Sequence, residues 1–306
     1  MHIIHDLSTF EPPWTSCALT PGVFDGLHRG HRALIQRLLK KKVDARILVT
    51  YHPHPDLVLG KRKDPEGYEL FTYEEKLSLF QSYPLEAVVF LPFTVELARM
   101  TALRYLKEIL LGKLRAKNIV IGYDQCFGRG RKGDYKFLKQ MSRRYDFEVD
   151  RVKAVRGFGP VISSSQIRTY LKQGLIEKAA NLLGHDYFLT GTVVRGFQRG
   201  RLIGFPTANL EVPRSKVIPA EGVYTAKAEW GGRYYRAMVN IGTNPTFEGK
   251  SVSVEAHLLD FDGDLYGQQL RIHFRKHIRN EIKFSSVDDL KSRLEKDRII
   301  ARKLKV

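Results

Sequence analysis

Short apolar runs alternate with helical patterns along the first half of the chain. The runs are rich in Val and Ile, and between them apolar residues recur at the three- and four-residue spacing of amphipathic helices. The pattern predicts strands over 45–51, 85–93, 117–124 and 147–155, and helices over 30–42, 73–83, 102–112, 134–145 and 164–184. Strands that alternate with helices favour a doubly wound α/β fold with one parallel sheet.

The second half changes character from about Tyr187. Glycines punctuate it, and apolar and polar residues alternate at period two, as in half-buried antiparallel strands. The stretch "EWGGRYY" (229–235) is typical of a hairpin in which two glycines join two strands. The pattern over residues 287–304 predicts one helix at the end of the chain. We therefore expect a small antiparallel β-barrel with a C-terminal helix, and a domain boundary that separates 1–184 from 185–306.

Composition and charge narrow the class of protein. Of 306 residues 43% are hydrophobic, and the apolar run over 85–93 is far shorter than the roughly 18 residues of a membrane span. The N-terminus "MHIIHDLSTF" lacks the basic start and apolar run of a secretory signal, so we expect a cytoplasmic protein. Cys17 and Cys126 form neither a metal-binding spacing nor a disulfide framework. The net charge of +18 indicates anionic partners: nucleic acid, anionic membrane or phosphorylated small molecules.

The stretch "TPGVFDGLHRGH" (20–31) carries the first candidate site, where a strand passes into the helix over 30–42. A helix N-terminus offers unpaired N–H groups and the positive end of the helix dipole, which favour phosphate. His28 and His31 could donate hydrogen bonds to phosphate oxygens as charge develops in a transition state. The alternative is an ordinary turn in which the histidines only cap and pack. The phosphate-binding candidates in this stretch are Gly22, Phe24, Asp25 and Gly30.

Three further segments leave predicted strands or open a helix. In "VTYHPHP" (49–55), two His-Pro pairs fix a rigid exit from the strand that could rim the pocket. The loop "IGYDQCFGRGRKGD" (121–134) is basic and glycine-rich, and could close over a phosphate or a planar ring. In "ISSSQIR" (162–168), serine hydroxyls and Arg168 share one end of a helix and suit a polyphosphate, although a plain helix cap is equally consistent. The binding candidates from these segments are His54, Asp124, Phe127, Arg129, Ser163, Ser164 and Ser165.

The stretch "GTVVRGFQRGRLIGFPTANL" (191–210) carries the second candidate site. Its glycines and arginines could wrap the phosphates of a nucleotide. Thr207 and Asn209 place a hydroxyl and an amide oxygen on one side of an extended strand, and such hard oxygen ligands suit Mg²⁺. Glu255, in a later strand, is either a general base for a hydroxyl or a solvated strand residue. The phosphate-binding candidates of this loop are Gly196, Arg199, Gly200, Arg201 and Gly204.

Together these motifs resemble those of a known family. The first half resembles the H-x-G-H nucleotidyltransferases in four motifs: "GVFDGLHRGH", "TYHPHP", "GYDQCFGRGRKGD" and "ISSSQIR". It is similar to the adenylyltransferase half of prokaryotic bifunctional riboflavin kinase/FAD synthetases over about 15–184. The second half resembles the kinase half of this family over about 187–305, in the motifs "GFPTANL", "GVYTAKA", "NIGTNPTF" and "VEAHLLDFDGDLYG". The two modules stand in the family's order and cover nearly the whole chain.

For the C-terminal domain, the resemblance implies the phosphorylation of riboflavin to FMN. ATP and Mg²⁺ would lie near the glycine loop, with Thr207 and Asn209 as the metal-binding residues. Glu255 would accept the proton of the ribityl 5′-hydroxyl while the γ-phosphoryl group is transferred. Catalysis of this kind depends mainly on positioning and on neutralising charge.

For the N-terminal domain, the resemblance implies the transfer of an adenylyl group to FMN. The FMN phosphate would attack the α-phosphorus of a second ATP, giving FAD and pyrophosphate without a protein nucleophile. His28 and His31 would stabilise the reacting phosphates, and Ser164 with Arg168 would hold the leaving pyrophosphate. The residues implied at the flavin are His54, Asp124, Phe127 and Arg129.

Two departures from the family and three alternatives accompany this interpretation. Gln125 and Cys126 stand where the family has an aromatic and a basic residue, which could alter flavin binding, whereas Ser165 replaces a threonine and keeps its hydroxyl.

The alternatives are a chain in which only the kinase half is active, another H-x-G-H nucleotidyltransferase, and a nucleic-acid-binding module. The sequence lacks the recognition helix or RNP-like strand that the last would need. We expect small-molecule substrates and neither a nucleic-acid nor a membrane partner, and self-association stays open.

Overall fold

The apolar runs of the first half pair side by side as one parallel sheet. The structure, a computed structural model, describes residues 1–61, 66–157, 159–196, 199–246 and 249–305, with the backbone alone described at 199, 244–246 and 249–251. The strands are β1 (His2–Ile4), β2 (Cys17–Pro21), β3 (Ala45–His52), β4 (Ala87–Pro92), β5 (Ala116–Gly122) and β6 (Glu148–Val152). Their order is β1-β4-β3-β2-β5-β6, and every neighbouring pair is parallel.

The sheet has an apolar core on each face, because successive side chains of a strand point to opposite sides. In β2, Cys17 and Leu19 pack into one core and Ala18 into the other. Leu138 belongs to the first core and Leu38 to the second, so helices cover both faces and the predicted doubly wound fold is confirmed. The helices of this half are α1 (Arg29–Leu39), α2 (Pro55–Val58), α3 (Tyr73–Gln81), α4 (Val95–Arg99), α5 (Ala102–Arg104) and α6 (Tyr135–Met141).

The helix predicted over 102–112 differs from the prediction in its winding. After the short helix α5 the chain continues as a π-helix over Tyr105–Lys113, and Gly112 lies inside it rather than at its end. In the wider turn Gly112 lies against Lys107, since a Cβ at Gly112 would stand 2.9 Å from the Lys107 carbonyl oxygen. The glycine therefore permits the close approach of two turns and does not stop the helix.

The second half closes into an antiparallel barrel, as its alternating pattern predicted. Its strands are β7 (Phe188–Val194), β8 (Ala208–Glu211), β9 (Gly222–Trp230), β10 (Arg233–Thr246), β11 (Gly249–Leu258) and β12 (Gln269–Arg279). Their order is β10-β11-β8-β7-β12-β9, and β9 pairs with β10 to close the barrel. Gly231 and Gly232 form the two-residue turn of the predicted hairpin with φ of 56° and 75°. The helices are α7 (Ser164–Lys172), α8 (Ile176–Leu183), α9 (Arg199–Leu202) and α10 (Val287–Arg302). Within the described ranges, no helix has the length and apolarity to cross a bilayer.

The chain divides into two compact units. The N-terminal unit contains residues 1–65 and 73–164, and the C-terminal unit contains 66–72 and 165–306. Helices α7 (from Ser165 on) and α8 thus group with the barrel, whereas the sequence predicted a boundary after residue 184. That functional boundary remains a prediction.

Residues 66–72, hereafter the 66–72 segment, belong to the C-terminal unit although their chain neighbours belong to the other. The backbone N–H groups of Tyr68 and Glu69 both donate to the carbonyl oxygen of Ser215, at 2.9 and 2.7 Å. Lys216, which is 1% exposed, donates through Nζ to the carbonyl oxygens of Leu70 and Phe188 at 2.6 and 2.7 Å. These bonds, which join segments far apart in sequence, were not predicted.

Candidate active sites

A sharply turned loop delivers the first candidate site to the start of α1. Between β2 and α1 the chain takes positive φ at Phe24 (50°), Gly26 (90°) and Leu27 (42°), two of which are not glycine. Such backbone costs on the order of 1 kcal/mol or more per non-glycine residue, so it persists only where neighbouring groups hold it. The Thr50 hydroxyl donates to the carbonyl oxygen of Val23 at 2.9 Å and secures one side of the loop.

The two histidines of the motif meet at the first turn of α1. His28 is the N-cap residue, and its Nδ1 accepts the backbone N–H of His31 at 3.3 Å. Because Nδ1 is the acceptor, the neutral His28 ring carries its proton on Nε2. The ring centroids of the pair lie 3.6 Å apart with an interplanar angle of 15°. The capping function considered from the sequence is therefore present, and it leaves Nε2 of His28 as a donor.

Burial keeps this pair uncharged at neutral pH. Desolvation lowers the pKa of His28 to about 4, against the opposing attraction of Asp25. Desolvation also lowers the pKa of His31 well below its ordinary value, and the neighbouring His28 lowers it further. Among the described residues, Nδ1 of His31 has no hydrogen-bond partner. The site thus offers neutral imidazole donors beside the positive end of the α1 dipole.

A cavity of about 240 Å³ opens at the carboxyl ends of β2, β5 and β6, where ligands bind in open parallel sheets. Eight of the predicted residues line it: Gly22, Phe24, His28, Gly30, His31, Asp124, Ser163 and Ser164. Sequence reasoning considered Gln125, which also lines the cavity, only for its effect on flavin binding, and it missed the wall formed by Tyr123, Val152, Lys153, Val155, Val161 and Ile162. Some of these residues follow β5 and β6, so the rule that ligands bind at the ends of parallel strands could have found them.

Four other predicted residues of this unit are not in the cavity lining. Asp25 is buried in the loop before α1, and Phe127 is buried against Tyr105 with ring centroids 5.2 Å apart. His54 is the buried N-cap of α2, where its Nδ1 accepts the backbone N–H of Asp56 at 3.1 Å. Arg129 is exposed at the start of a 3₁₀ turn. Flavin contacts for His54, Asp124, Phe127 and Arg129 remain predictions.

Residues of the serine motif make structural hydrogen bonds in addition to being candidates for binding phosphate. The Ser164 hydroxyl donates to the carbonyl oxygen of Asp25 at 2.7 Å and so holds the loop before α1. Arg168 lies in the C-terminal unit, where Nε donates to the Tyr68 carbonyl oxygen at 2.6 Å and the guanidinium lies 4.1 Å from the Tyr68 ring centroid. Ser165 is exposed. The predicted grip of Ser164, Ser165 and Arg168 on pyrophosphate is not visible as one cluster and stays a prediction.

The second candidate site is assembled by the pairing of β8 with β11. Glu255 pairs directly with Asn209, so the two side chains share one face of the sheet. The Thr207 hydroxyl donates to Glu255 Oε2 at 3.2 Å. A hydroxyl, an amide and a carboxylate, all half-buried, thus stand together as the sequence suggested. They form a set of hard oxygen donors that fits Mg²⁺.

The glycine loop passes close to this set. A Cβ at Gly196 would stand 2.3 Å from Nδ2 of Asn209, so only glycine lets the loop approach the amide. A Cβ at Gly200 would stand 2.3 Å from the Phe205 carbonyl oxygen, which likewise requires glycine in the turn of α9. Arg201 is exposed, and the side chain of Arg199 lies outside the described part of the structure.

Gly204 (φ 84°) lines a separate cavity of about 340 Å³ in the C-terminal unit. Sequence reasoning missed several polar residues of its lining, among them His257 in β11, Asp260 just beyond β11, and Arg298 and Arg302 of α10. His257 donates through Nδ1 to the Pro206 carbonyl oxygen at 2.8 Å. The period-two pattern could have found His257, because it lies two residues from Glu255 on the same face of β11.

Comparisons with known proteins agree with the two-unit layout. A family model described as FAD synthetase matches residues 11–166, and one described as riboflavin kinase matches 183–305. The chain is 37% identical to the bifunctional riboflavin kinase/FMN adenylyltransferase of Escherichia coli (strain K12), over 98% of this chain and 95% of that protein. It is 34% identical to the protein of the same name from Bacillus subtilis (strain 168), over 97% and 95%.

A solved structure shares the complete architecture. The crystal structure described as a macrolide-efflux protein from Streptococcus pneumoniae matches with a TM-score of 0.89 and 30% sequence identity, over 99% of both chains. Its description applies to that protein. The structural match extends across both the parallel sheet and the barrel of the present chain.

Proposed function

This chain belongs to the bifunctional riboflavin kinase/FMN adenylyltransferase family, and we propose that Glu255 and the His28–His31 pair are the catalytic groups of its two reactions. The enzyme phosphorylates riboflavin to FMN and joins FMN to the adenylyl group of ATP to give FAD. The kinase belongs to the C-terminal part and the adenylyltransferase to the N-terminal part. The assignment of individual residues rests on the geometry of the two candidate sites.

The observation that supports the kinase assignment is the hydrogen bond between Thr207 and Glu255 opposite Asn209. As the riboflavin 5′-oxygen bonds to the γ-phosphorus of ATP, Glu255 accepts the hydroxyl proton and ADP leaves. Pairing between β8 and β11 fixes the carboxylate, so little reorganisation is needed at the moment of transfer. A positioned general base of this kind contributes about 10²–10⁴ to the rate.

The same residues suit a bound Mg²⁺. We infer that Thr207 and Asn209 hold the ion against the ATP phosphates, since both present oxygen atoms beside Glu255. When bound, Mg²⁺ neutralises charge on the transferring phosphoryl group. Gly196 keeps the loop close to Asn209 and so limits the positions that the amide can take.

In the N-terminal unit, an FMN phosphate oxygen bonds to the α-phosphorus of ATP while the bond from that phosphorus to the pyrophosphate oxygen breaks. His28 donates Nε2–H toward the negative charge that develops, and His31 and the N–H groups at the start of α1 act in the same region. The attacking group is supplied by FMN, so no residue of the chain forms a covalent intermediate.

The proposal extends to the surroundings of the enzyme. We place it in the cytoplasm, with small phosphorylated molecules as its partners and no nucleic-acid function. The net charge of +18 supports an attraction for these anionic substrates without selecting among them. A duplex-binding function would instead produce a steep salt dependence of binding to nucleic acid.

A time course of flavins tests the assignment directly. The protein is mixed with riboflavin and excess ATP at several magnesium concentrations, and the flavins are separated by chromatography. FMN that appears first and FAD that follows, both dependent on magnesium, support the proposal. If FMN accumulates without FAD, only the kinase half is active, and if neither forms at any magnesium concentration the proposal is wrong.

A further inference from the structure

Gln125 lines the first cavity beside the end of β5. The side chain lies in the turn that follows β5, and its Oε1 accepts the backbone N–H of Gly122 at 2.9 Å. An N–H group can bond only to the oxygen of a carboxamide, so this contact fixes the orientation of the group. The Nε2 end keeps two N–H donors for another partner, and no residue that the structure describes accepts a hydrogen bond from it.

Gln125 and Leu34 both approach the end of β5. A Cβ at Gly122 would stand 3.4 Å from Gln125 Oε1 and 3.9 Å from Leu34 Cδ1, and both side chains line the cavity. Leu34 follows His31 by three residues on α1 and lies about one helical turn, or roughly 5 Å, farther along the axis. A group that contacts both Gln125 and Leu34 lies next to phosphates held by His31 and is not itself one of them.

The cavity lining includes apolar side chains that suit a planar ring. Val152 is the strand partner of Gly122, and Val155, Val161 and Ile162 belong to the same lining, beside the polar Tyr123, Asp124 and Lys153. A nucleoside base placed there would bury its faces against these side chains. Its ring nitrogens, which are acceptors, would then need a donor, and Gln125 supplies one.

We propose that Gln125 is a nucleotide-binding residue of the adenylyltransferase site, whose Nε2–H donates to a ring nitrogen of the ATP base. The proposal rests on the assignment of the first cavity to adenylyl transfer. It assigns Gln125 to the binding of ATP, whereas the sequence analysis considered this position for the flavin. The atom that accepts the hydrogen bond from Gln125 is a ring nitrogen of a purine base. This base lies about one helical turn of α1 away from the phosphates.

Two substitutions separate donation to the base from support of the turn. Gln125→Glu keeps an oxygen acceptor for the Gly122 N–H group and removes both donors, whereas Gln125→Met removes donors and acceptor at similar size. If Gln125 only supports the turn, Gln125→Glu raises the KM for ATP only through its added negative charge, so the rise disappears at high salt. At high salt we expect both variants to raise this KM about fivefold to tenfold, the effect of one lost hydrogen bond, while the KM for FMN changes less than twofold.

Nucleotide analogues identify the atom that accepts the hydrogen bond. FAD formation is measured with ATP, 1-deaza-, 3-deaza- and 7-deaza-ATP for the wild-type chain and for Gln125→Met. We expect one analogue to raise the KM of the wild-type protein about as much as the substitution does, and to raise that of the variant no further. Gln36→Leu, at an exposed position of α1, is the matched control and should behave as the wild type in every assay.

Several results would overturn the proposal. These are an unchanged KM for ATP in Gln125→Met, a rise confined to the KM for FMN, or three analogues that the wild-type protein uses as well as ATP. Trp14 fluorescence in a Trp230→Phe background reports whether the N-terminal unit of a variant is folded. The analogue series with the wild-type protein decides the question even if Gln125→Met is not folded. If the wild-type protein makes no FAD from FMN, the assignment of the site fails instead, which is a distinguishable outcome.

Discussion

His28 and His31 stack at the first turn of α1 with their ring centroids 3.6 Å apart, and His28 Nδ1 caps the helix by accepting the His31 N–H group. Both rings are neutral at pH 7 because burial lowers their pKa values. A proton added to either ring would place a charge in a buried site against its neighbour. In the proposed reaction the pair would therefore act through neutral donors that are oriented by the helix itself.

We expect the N-terminal unit to lose stability between about pH 6.5 and pH 4. His28 has a pKa of about 4 when folded and about 6.5 when unfolded, so in this window the unfolded chain binds more protons. The contribution is fully present above the unfolded pKa, and on the order of 3 kcal/mol is lost as the pH falls through the window. The free energy of unfolding, measured with urea at several pH values, checks this.

The chain offers both a selective probe and a control for that experiment. Trp14 lies in the N-terminal unit and Trp230 in the other, so Trp230→Phe leaves fluorescence that reports only the first. His28→Asn keeps a side-chain oxygen for the N-cap but does not titrate. Its loss of stability over the window should be smaller, and equal losses in both proteins would show that His28 is not responsible.

Substitution of one catalytic group should divide the two reactions. His28→Ala removes a donor from the phosphates, so we expect FAD formation to fall about 10²–10³-fold while riboflavin is still phosphorylated. Glu255→Gln removes the base, so FMN formation should fall about 10²–10⁴-fold while supplied FMN is still converted to FAD. Separation of the flavins after each reaction checks both, and each variant's other activity is its control. FAD formation by His28→Ala at the wild-type rate would contradict the assignment.

Much of this fold follows from local pattern. The centres of β3 (47–49) and β5 (119–121) are apolar without interruption because both faces of a parallel strand are buried. Asp134 was predicted to start a helix, and its side chain accepts the N–H of Phe137 at the N-terminus of α6 at 2.8 Å. Residues around His28 were likewise predictable, because a glycine-rich passage from strand to helix is a local feature.

Other contacts depend on registers that no local pattern contains. Glu69 and Ser215 are 146 residues apart, yet their side chains bond at 2.9 Å. The four-residue spacing in the sequence predicted that Arg168 lies one helical turn from Ser164. It could not show that the guanidinium donates a hydrogen bond to the Tyr68 carbonyl oxygen. The function of Gln125 was also hidden, because its partner is a backbone group and its meaning comes from the cavity around it.

Gly196→Ala should impair the kinase reaction alone. A methyl group there would overlap the Asn209 amide, at 2.3 Å from Nδ2 and 2.7 Å from Oδ1, so Asn209 has to move. We expect riboflavin phosphorylation to fall at least about tenfold and to need more magnesium, because a small displacement of a positioning group is costly. FAD formation from supplied FMN should stay unchanged, as measured by initial rates over a magnesium series.

Gly231→Ala is the matched control for that variant. Gly231 lies in the same unit, in the β9–β10 hairpin, with φ of 56° and nothing within 4 Å of a Cβ. The substitution strains the turn by about 1 kcal/mol without approaching Asn209, so it should lower stability and leave the magnesium dependence as in the wild type. Equal magnesium dependence in the two variants would mean that Gly196 affects the barrel generally.

Lys216→Met should destabilise the C-terminal unit. Lys216 donates to Leu70 and Phe188, and its Nζ lies 4.2 and 4.5 Å from the ring centroids of Phe71 and Tyr187. Methionine fills a similar volume but leaves two buried carbonyl oxygens without this donor. Because each lost bond of this kind costs about 1–3 kcal/mol, the 66–72 segment should separate from the unit more readily.

Heating resolves the effect of Lys216→Met, since the chain has one activity in each unit. Riboflavin kinase activity should be lost at a temperature lower by several degrees than in the wild type, and FMN adenylyl transfer should be lost later than kinase activity. Lys276→Met, at an exposed position of β12, is the control and should inactivate as the wild type does. If Lys216→Met and Lys276→Met lose kinase activity at the same temperature, the bonds of Lys216 to the 66–72 segment do not stabilise the unit.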